Sequence, residues 1–218
     1  AILRGVKPEA SVIVDGEACD IGGLVGQEEY AYLRREWVDD FTSDPEAFQF
    51  VDFAVGETEA PFAWKRVRHC ADSPWPPPGV RLALHFTGPN ALVATVVYEL
   101  YDGLPLLGKW LQLRNDGDCT VRLNSCKSEI LAVVEGEVSV DAPAQWTYPD
   151  LHVESDYAFH GMTAASADVT TRWLPDPRYT SQVNYRLESP LLLETNLPAG
   201  PDVEICASET LTSFRTFL

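Results

Sequence analysis

Residues 92–115 read LVATVVYELYDGLPLLGKWLQLRN. Leu92 to Tyr101 is an unbroken run rich in Val, Thr and Tyr, the side chains that favour a pleated, half-buried surface. Asp102-Gly103 supplies a turn, because glycine and aspartate tolerate the backbone angles that reverse a chain. Leu106 to Arg114 then alternates apolar and polar with period two, and Asn115-Asp116-Gly117-Asp118 turns the chain again. The stretch is therefore a β-hairpin. Tyr98 and Leu100 fall on one face of its first strand, and Glu99 and Tyr101 on the other.

The same signature extends outward in both directions. Val12-Ile13-Val14, Asp15-Gly16 and Glu17 to Ile21 form a second hairpin, since Asp-Gly provides the positive φ that a type I′ turn requires. Arg81 to Phe86 alternates. Cys119 to Val134 reads as one long strand or two short ones with a bulge. Leu151 to Phe159, Asp168 to Trp173, Gln182 to Leu187, Leu191 to Thr195 and Val203 to Ala207 read as further strands, several separated by Pro- and Gly-rich turns. Only Glu28 to Val38 has helical character, and its apolar spacing is poor. Many short strands with almost no helix predict an all-β fold, a large antiparallel sandwich occupying residues 1–218 as one domain. The run Ser73 to Gly79, with Pro74 and Pro76 to Pro78, predicts a stiff polyproline connector covering a sheet, with Trp75 tucked beneath it.

The 218 residues include 33 acidic and 16 basic side chains, a formal charge of −17. Such a field opposes every contact with a phosphate, which excludes nucleic acid as the main partner and disfavours an anionic membrane surface. No window approaches the roughly 20 consecutive apolar residues of a membrane-spanning helix. The chain opens on Ala1, and Glu209 to Leu218 reads as a strand that stops in mid-pattern. A piece of a longer protein is expected, with its compartment left open. Cys19, Cys70, Cys119, Cys126 and Cys206 are too sparse for a disulfide framework and lack zinc-ligand spacing, so they read as ordinary structural thiols, although Cys119 and Cys126 could meet across a hairpin.

The residues that carry chemistry are thinly spread. There is no Gly-x-Ser-x-Gly elbow, and the only cysteine beside a histidine is Cys70, next to His69, where neighbouring strand residues point to opposite faces. Gly22-Gly23-Leu24-Val25-Gly26 lacks the Lys-Ser/Thr ending of a phosphate loop and reads as a flexible turn that lets two segments approach. No catalytic residue, metal ligand set or cofactor is expected from these patterns. The acids are numerous enough that close pairs such as Asp39-Asp40 arise by chance.

The stretch Val97 to Asn115, VYELYDGLPLLGKWLQLRN, resembles the amino-terminal β-supersandwich domain of glycoside hydrolase family 36, the α-galactosidase group. Gly22 to Gln27, Pro76 to Phe86 (PPPGVRLALHF) and Glu209 to Phe217 (ETLTSFRTF) add weaker matches in a consistent order. The resemblance implies a galactose mutarotase-like fold and a (β/α)8 catalytic domain of the same parent chain as partner. The barrel would carry both catalytic aspartates, and none can be placed on this chain. It implies a non-catalytic, carbohydrate-associated role supporting that barrel.

Sugar contact would use aromatic rings against pyranose faces and acids or amides against hydroxyls. Tyr101 and Asp102 in the hairpin, Trp146 and Tyr148 in WTYPD, and Trp173 in WLPD are the candidate oligosaccharide-binding residues. Two alternatives stand beside this: a free-standing carbohydrate-binding module, and an aldose epimerase using His85, His152 and Glu194 as acid and base. An apolar patch and self-association, as a homo-oligomer, are expected if a sheet face lacks its cover.

Overall fold

The Asp15-Gly16 turn shows how local chemistry becomes architecture. Both residues take positive φ, +50° and +85°, and the strands they join pair with Val14 opposite Glu17. Gly16 meets no atom on the side where a Cβ would stand, so the backbone conformation, not crowding, explains the glycine. The computed structural model describes residues 5–65, 67, 74–134, 151–157, 169–182 and 184–218.

Among the described residues the strands are β1 (Ala10–Val14), β2 (Glu17–Ile21), β3 (Leu24–Val25), β4 (Thr42–Ser43), β5 (Gln49–Gly56), β6 (Gly79–Thr87) and β7 (Leu92–Tyr101). There follow β8 (Leu107–Asn115), β9 (Val121–Ala132), β10 (Glu154–Ser155), β11 (Thr171–Pro175), β12 (Pro190–Ile205), β13 (Thr210–Thr212) and β14 (Thr216–Phe217). Among the described residues the helical segments are two short 3₁₀ turns, Arg35–Asp40, which overlaps the end of the Glu28 to Val38 stretch, and Pro89–Ala91. The fold is an all-β antiparallel sandwich.

One sheet runs β11-β12-β9-β1-β2, and the other runs β10-β14-β8-β7-β6-β5 with β13 also on β8. Among the described residues every strand pairing is antiparallel, and a single parallel bridge joins Ile21 to Phe48. The terminal segment is one broken strand beside β8, since β13 and β14 both pair β8 and break around Ser213, whose hydroxyl accepts from the Leu111 amide.

Alternation explains the core. Leu92, Ala94 and Val96 of β7 and Leu111 and Leu113 of β8 point inward against Ala10, Val12 and Val14 of β1 and Leu123 of β9. Each fully buried aliphatic side chain contributes about 1.5–3 kcal/mol. Gly22, at φ +66°, lets this layer close, because a Cβ there would lie 3.0 Å from the Phe86 ring.

Several expectations need correction. Gln182 to Leu187 is not a strand: in its described part, Asn184 and Leu187 donate backbone hydrogen bonds to the carbonyls of Ser181 and Asn184, forming successive turns. Leu191 to Thr195 and Val203 to Ala207 belong largely to one long strand, β12, whose register against β9 shifts between Asn196 and Pro201. Cys119 and Cys126 do not face each other across a hairpin; Cys126 lies within β9, Cys119 lies just before it, and both are free thiols. Strand β5 was missed in the sequence reading because its apolar residues do not alternate cleanly. A register shift between Phe50 and Asp52 breaks the period.

Of the proline connector, residues 74–79 are described, and its Trp75–Pro76 peptide bond is cis. The Trp75 indole N–H donates to the Phe62 carbonyl at 3.0 Å, and its ring packs on Phe62 and Trp64 at 5.0 and 5.2 Å between centroids.

Candidate functional site

The β7–β8 hairpin presents two chemically distinct faces, and each carries a buried charge. On the inner face, Lys109 reaches between the sheets. Its Nζ donates to Glu129 Oε1 at 2.8 Å and to the Glu9 carbonyl at 2.6 Å, with the Glu9 carboxylate at 3.7 Å. Glu129 Oε1 also accepts from the Ile130 amide at 2.9 Å. The Tyr98 hydroxyl donates to Glu9 Oε2. Burial raises the Tyr98 phenol well above its ordinary range, and the neighbouring Glu9 carboxylate adds to the shift. Beyond this cluster, Thr195 Oγ1 lies 3.1 Å from Ser128 Oγ and 2.9 Å from Thr216 Oγ1, extending the polar seam.

Glu9 and Tyr98 line two cavities. One, of about 240 Å³, is bounded further by Gly5, Lys7, Lys109 and Glu129. The other is an open apolar groove of about 430 Å³ with Val80, Leu82, Leu84, Leu100 and Leu107 on its walls.

On the outer face, Glu99 is almost wholly enclosed. Its carboxylate accepts from the Glu59 amide and the Tyr101 hydroxyl, both at 2.8 Å, with Arg215 Nη1 at 3.7 Å. The Arg215 guanidinium also stands 3.9 Å from the centroid of the buried Trp110 ring, a cation–π contact. Tyr101 is pushed up to about 12, first by burial and then by its bond to Glu99, with Arg215 opposing.

A third site lies at the glycine-rich turn. There a polar cleft of about 270 Å³ is bounded by Lys7, Asp20, Gly22 to Gln27, Tyr30, Asp44 and Arg178. Lys7 pairs with Asp176 at 2.8 Å, and Arg178 lies over the Tyr30 ring at 4.4 Å. Gln27 is fixed from both ends, accepting from the Val6 amide at 3.0 Å and donating to the Glu29 carbonyl at 2.7 Å.

These placements sort the residues singled out from sequence. Tyr101 is buried with its hydroxyl engaged by Glu99. Asp102 is exposed in the turn, and its backbone amide, donating to the Pro78 carbonyl at 2.8 Å, ties that turn. Trp173 is half-buried on β11 opposite Leu193, in the other sheet. Trp146 and Tyr148 lie outside the described residues, as do His69, Cys70 and His160.

The three epimerisation candidates do not form one site. His85, on β6, has its Nδ1 3.2 Å from Thr95 Oγ1. His152 precedes β10 at the far edge of that sheet and pairs with Glu154 at 3.0 Å. Strands β6 and β10 are four rungs apart, on the order of 19 Å at ~4.8 Å per strand. Glu194 sits in the other sheet, bonded to Lys127 at 2.8 Å.

Sequence reading missed Lys109, Glu129 and Glu9 as a unit because they are 20 to 120 positions apart and meet only when the sheets stack. The available signal was a lysine and a tyrosine placed to share the inner face of one hairpin. Among the described residues, no group of three His, Cys, Asp or Glu is arranged to hold a metal ion.

No protein-family model matches this chain, and no curated protein matches it. Its functional reading rests on its residues and their geometry.

Proposed function

We infer that this chain is a non-catalytic β-sandwich module of a glycoside hydrolase-like parent, carbohydrate-associated, supporting an adjacent (β/α)8 catalytic domain. The observation that supports this is how the charges of the family-resembling hairpin are used. Glu99 is closed in by Tyr101, Arg215 and the Glu59 amide. Lys109 is closed in by Glu129 and Glu9. A general acid or base must reach a substrate proton, and these groups are instead engaged within the domain: Lys109 links the two sheets through Glu129, and Glu99 is held on the outer face of one sheet. The galactose mutarotase-like form of the sandwich belongs to the same proposal.

The test compares this chain with the longer protein encoded around it, using aryl α-galactosides as substrates. The expected result is turnover by the longer protein and none by residues 1–218 alone. Turnover by the isolated chain, abolished by one substitution within it, would overturn the reading, as would a longer protein without a (β/α)8 pattern.

A second reading, a free-standing carbohydrate-binding module, is favoured by the polar cleft at Gly22 to Gln27. There Lys7, Asp20, Asp44 and Arg178 offer donors and acceptors around a space of about 270 Å³. Calorimetric titration with an oligosaccharide panel decides it: heat that disappears in Asp20→Ala supports the module, and no heat with any sugar removes it.

A further inference from the structure

Strand β5 is an edge strand with unusual composition. Among the described residues its only partner is β6, and all eight residues from Gln49 to Gly56 are exposed. Phe50, Val51, Phe53 and Val55 are 53%, 56%, 62% and 64% exposed. Edge strands of stable proteins are usually short, charged, bulged or covered, because their free amides and carbonyls template further pairing. Here the one charge within the strand is Asp52, and the one irregularity is the register shift beside it.

The face behind the edge is apolar too. Cross-strand partners share a face, so Phe53 and Val55 stand beside Leu84 and Leu82, and Val80 stands beside Leu100. Val80 and Leu100 are 45% and 49% exposed. Among the described residues, this inner face is covered by the opposite sheet at Phe86 and Leu92, and at the far end of β6 and β7 it lines an open groove.

We propose that β5 is a dimerisation edge: two copies of this chain pair β5 to β5 antiparallel, joining their sheets into one. Three observations select a second copy as the occupant. First, a free ladder edge is satisfied by a strand, and this chain carries one that is self-complementary about a two-fold axis. A (β/α)8 barrel turns helices outward and cannot supply that ladder. Second, an axis through Phe53 sets Asp52 opposite Ala54 of the partner subunit, so the two carboxylates do not share a rung. Third, the uncovered parts of the four apolar side chains of β5 amount to roughly 400 Å² per copy, taking ~150–250 Å² for a whole aromatic side chain. That is about half of the ~800 Å² that each partner contributes to a standard interface, the scale of a weak, reversible dimer.

Each copy carries a charge of −17, so long-range repulsion opposes the pairing and salt relieves it. The dimer is therefore strengthened by raising ionic strength, the reverse of an interface held by ion pairs.

The test is sedimentation velocity of the intact chain over a concentration series at low and high salt, with hydrogen exchange at both ends of the series. A monomer–dimer equilibrium is expected, tighter in high salt, with amide protection of residues 50–55 rising as the dimer forms. Val51→Lys and Phe53→Lys, both at exposed positions, are each expected to weaken association at least tenfold while leaving the thermal transition in place. Tyr185→Lys, at an exposed residue away from this strand, is expected to leave association unchanged. A monomer under all conditions, open-ended aggregation, a dimer indifferent to Phe53→Lys, or a dimer without new protection in β5 would each overturn the proposal.

Discussion

Lys109 Nζ and Glu129 Oε1 stand 2.8 Å apart between the two sheets, with side chains only 2% and 5% exposed. One residue comes from each sheet, so the pair links β8 to β9 across a layer that is otherwise aliphatic. Removing one partner strands the other charge in a poorly solvated space, whereas removing both can be close to neutral. Lys109→Met should therefore destabilise the protein by about 3–5 kcal/mol. The double variant Lys109→Met/Glu129→Leu should recover most of that loss. Urea denaturation of the four proteins of the cycle measures both effects, and a double variant no better than Lys109→Met would refute the account.

The outer-face cluster makes a parallel prediction with an optical readout. Among the described residues, Arg215 is the one cation paired with the buried Glu99 carboxylate, and it also stacks on Trp110. Arg215→Met should cost about 3–5 kcal/mol, because it leaves the Glu99 carboxylate buried without its counter-charge. It should also change the near-ultraviolet circular dichroism band that Trp110→Phe removes. A stability loss without that spectral change would separate Arg215 from the indole.

Asn115 closes the end of β8 with all its polar atoms engaged. Its Nδ2 donates to the carbonyls of Cys119 and Ile205 at 2.8 and 2.9 Å, and its Oδ1 accepts from the Gly117 amide at 3.0 Å. Asn115→Ala leaves these backbone groups unpaired at a fully buried position and should cost about 2–4 kcal/mol. Asn115→Asp keeps the shape but removes the donor and should be nearly as harmful. Thermal melts of both variants give the comparison.

Alkaline pH should weaken the fold in a specific window. Burial pushes the Cys126 thiol from its ordinary 9.0 up to about 12, and Tyr101 rises from 10.0 to about 12. Above pH 9 the unfolded chain releases the Cys126 proton while the folded chain retains it, so unfolding gains with rising pH. The contribution is whole below pH 9 and is lost as pH climbs towards 12. Cys126→Ala should cost about 1 kcal/mol at neutral pH and flatten the stability profile between pH 9 and 11. An unchanged slope would assign the alkaline loss elsewhere. In the native protein, the exposed Cys119 and Cys206 should react with a thiol reagent well before Cys126.

Strand identity was legible wherever period two survived. Leu92 to Tyr101 and the Asp15-Gly16 hairpin needed only side-chain alternation and positive φ, properties carried by a few neighbouring residues. Gln49 to Gly56 was not legible, because one register shift puts Val51 out of phase and hides the pattern. Gln182 to Leu187 misled in the opposite sense: its composition suits a strand, yet the hydrogen bonds of Asn184 and Leu187 close into turns. Local composition cannot weigh the two outcomes when no partner strand is known.

The candidate sites divide along the same line. The sequence alone determined that Tyr98 and Leu100 oppose Glu99 and Tyr101, since that follows from the pleat of a single strand. It could not determine that Tyr98 and Lys109 would meet Glu9 and Glu129, or that Tyr101 would be consumed by Glu99 and Arg215. Those contacts join residues far apart in the chain and depend on which strands stack over which. Stacking is decided by the summed burial of both sheets, and no short stretch of residues contains that sum.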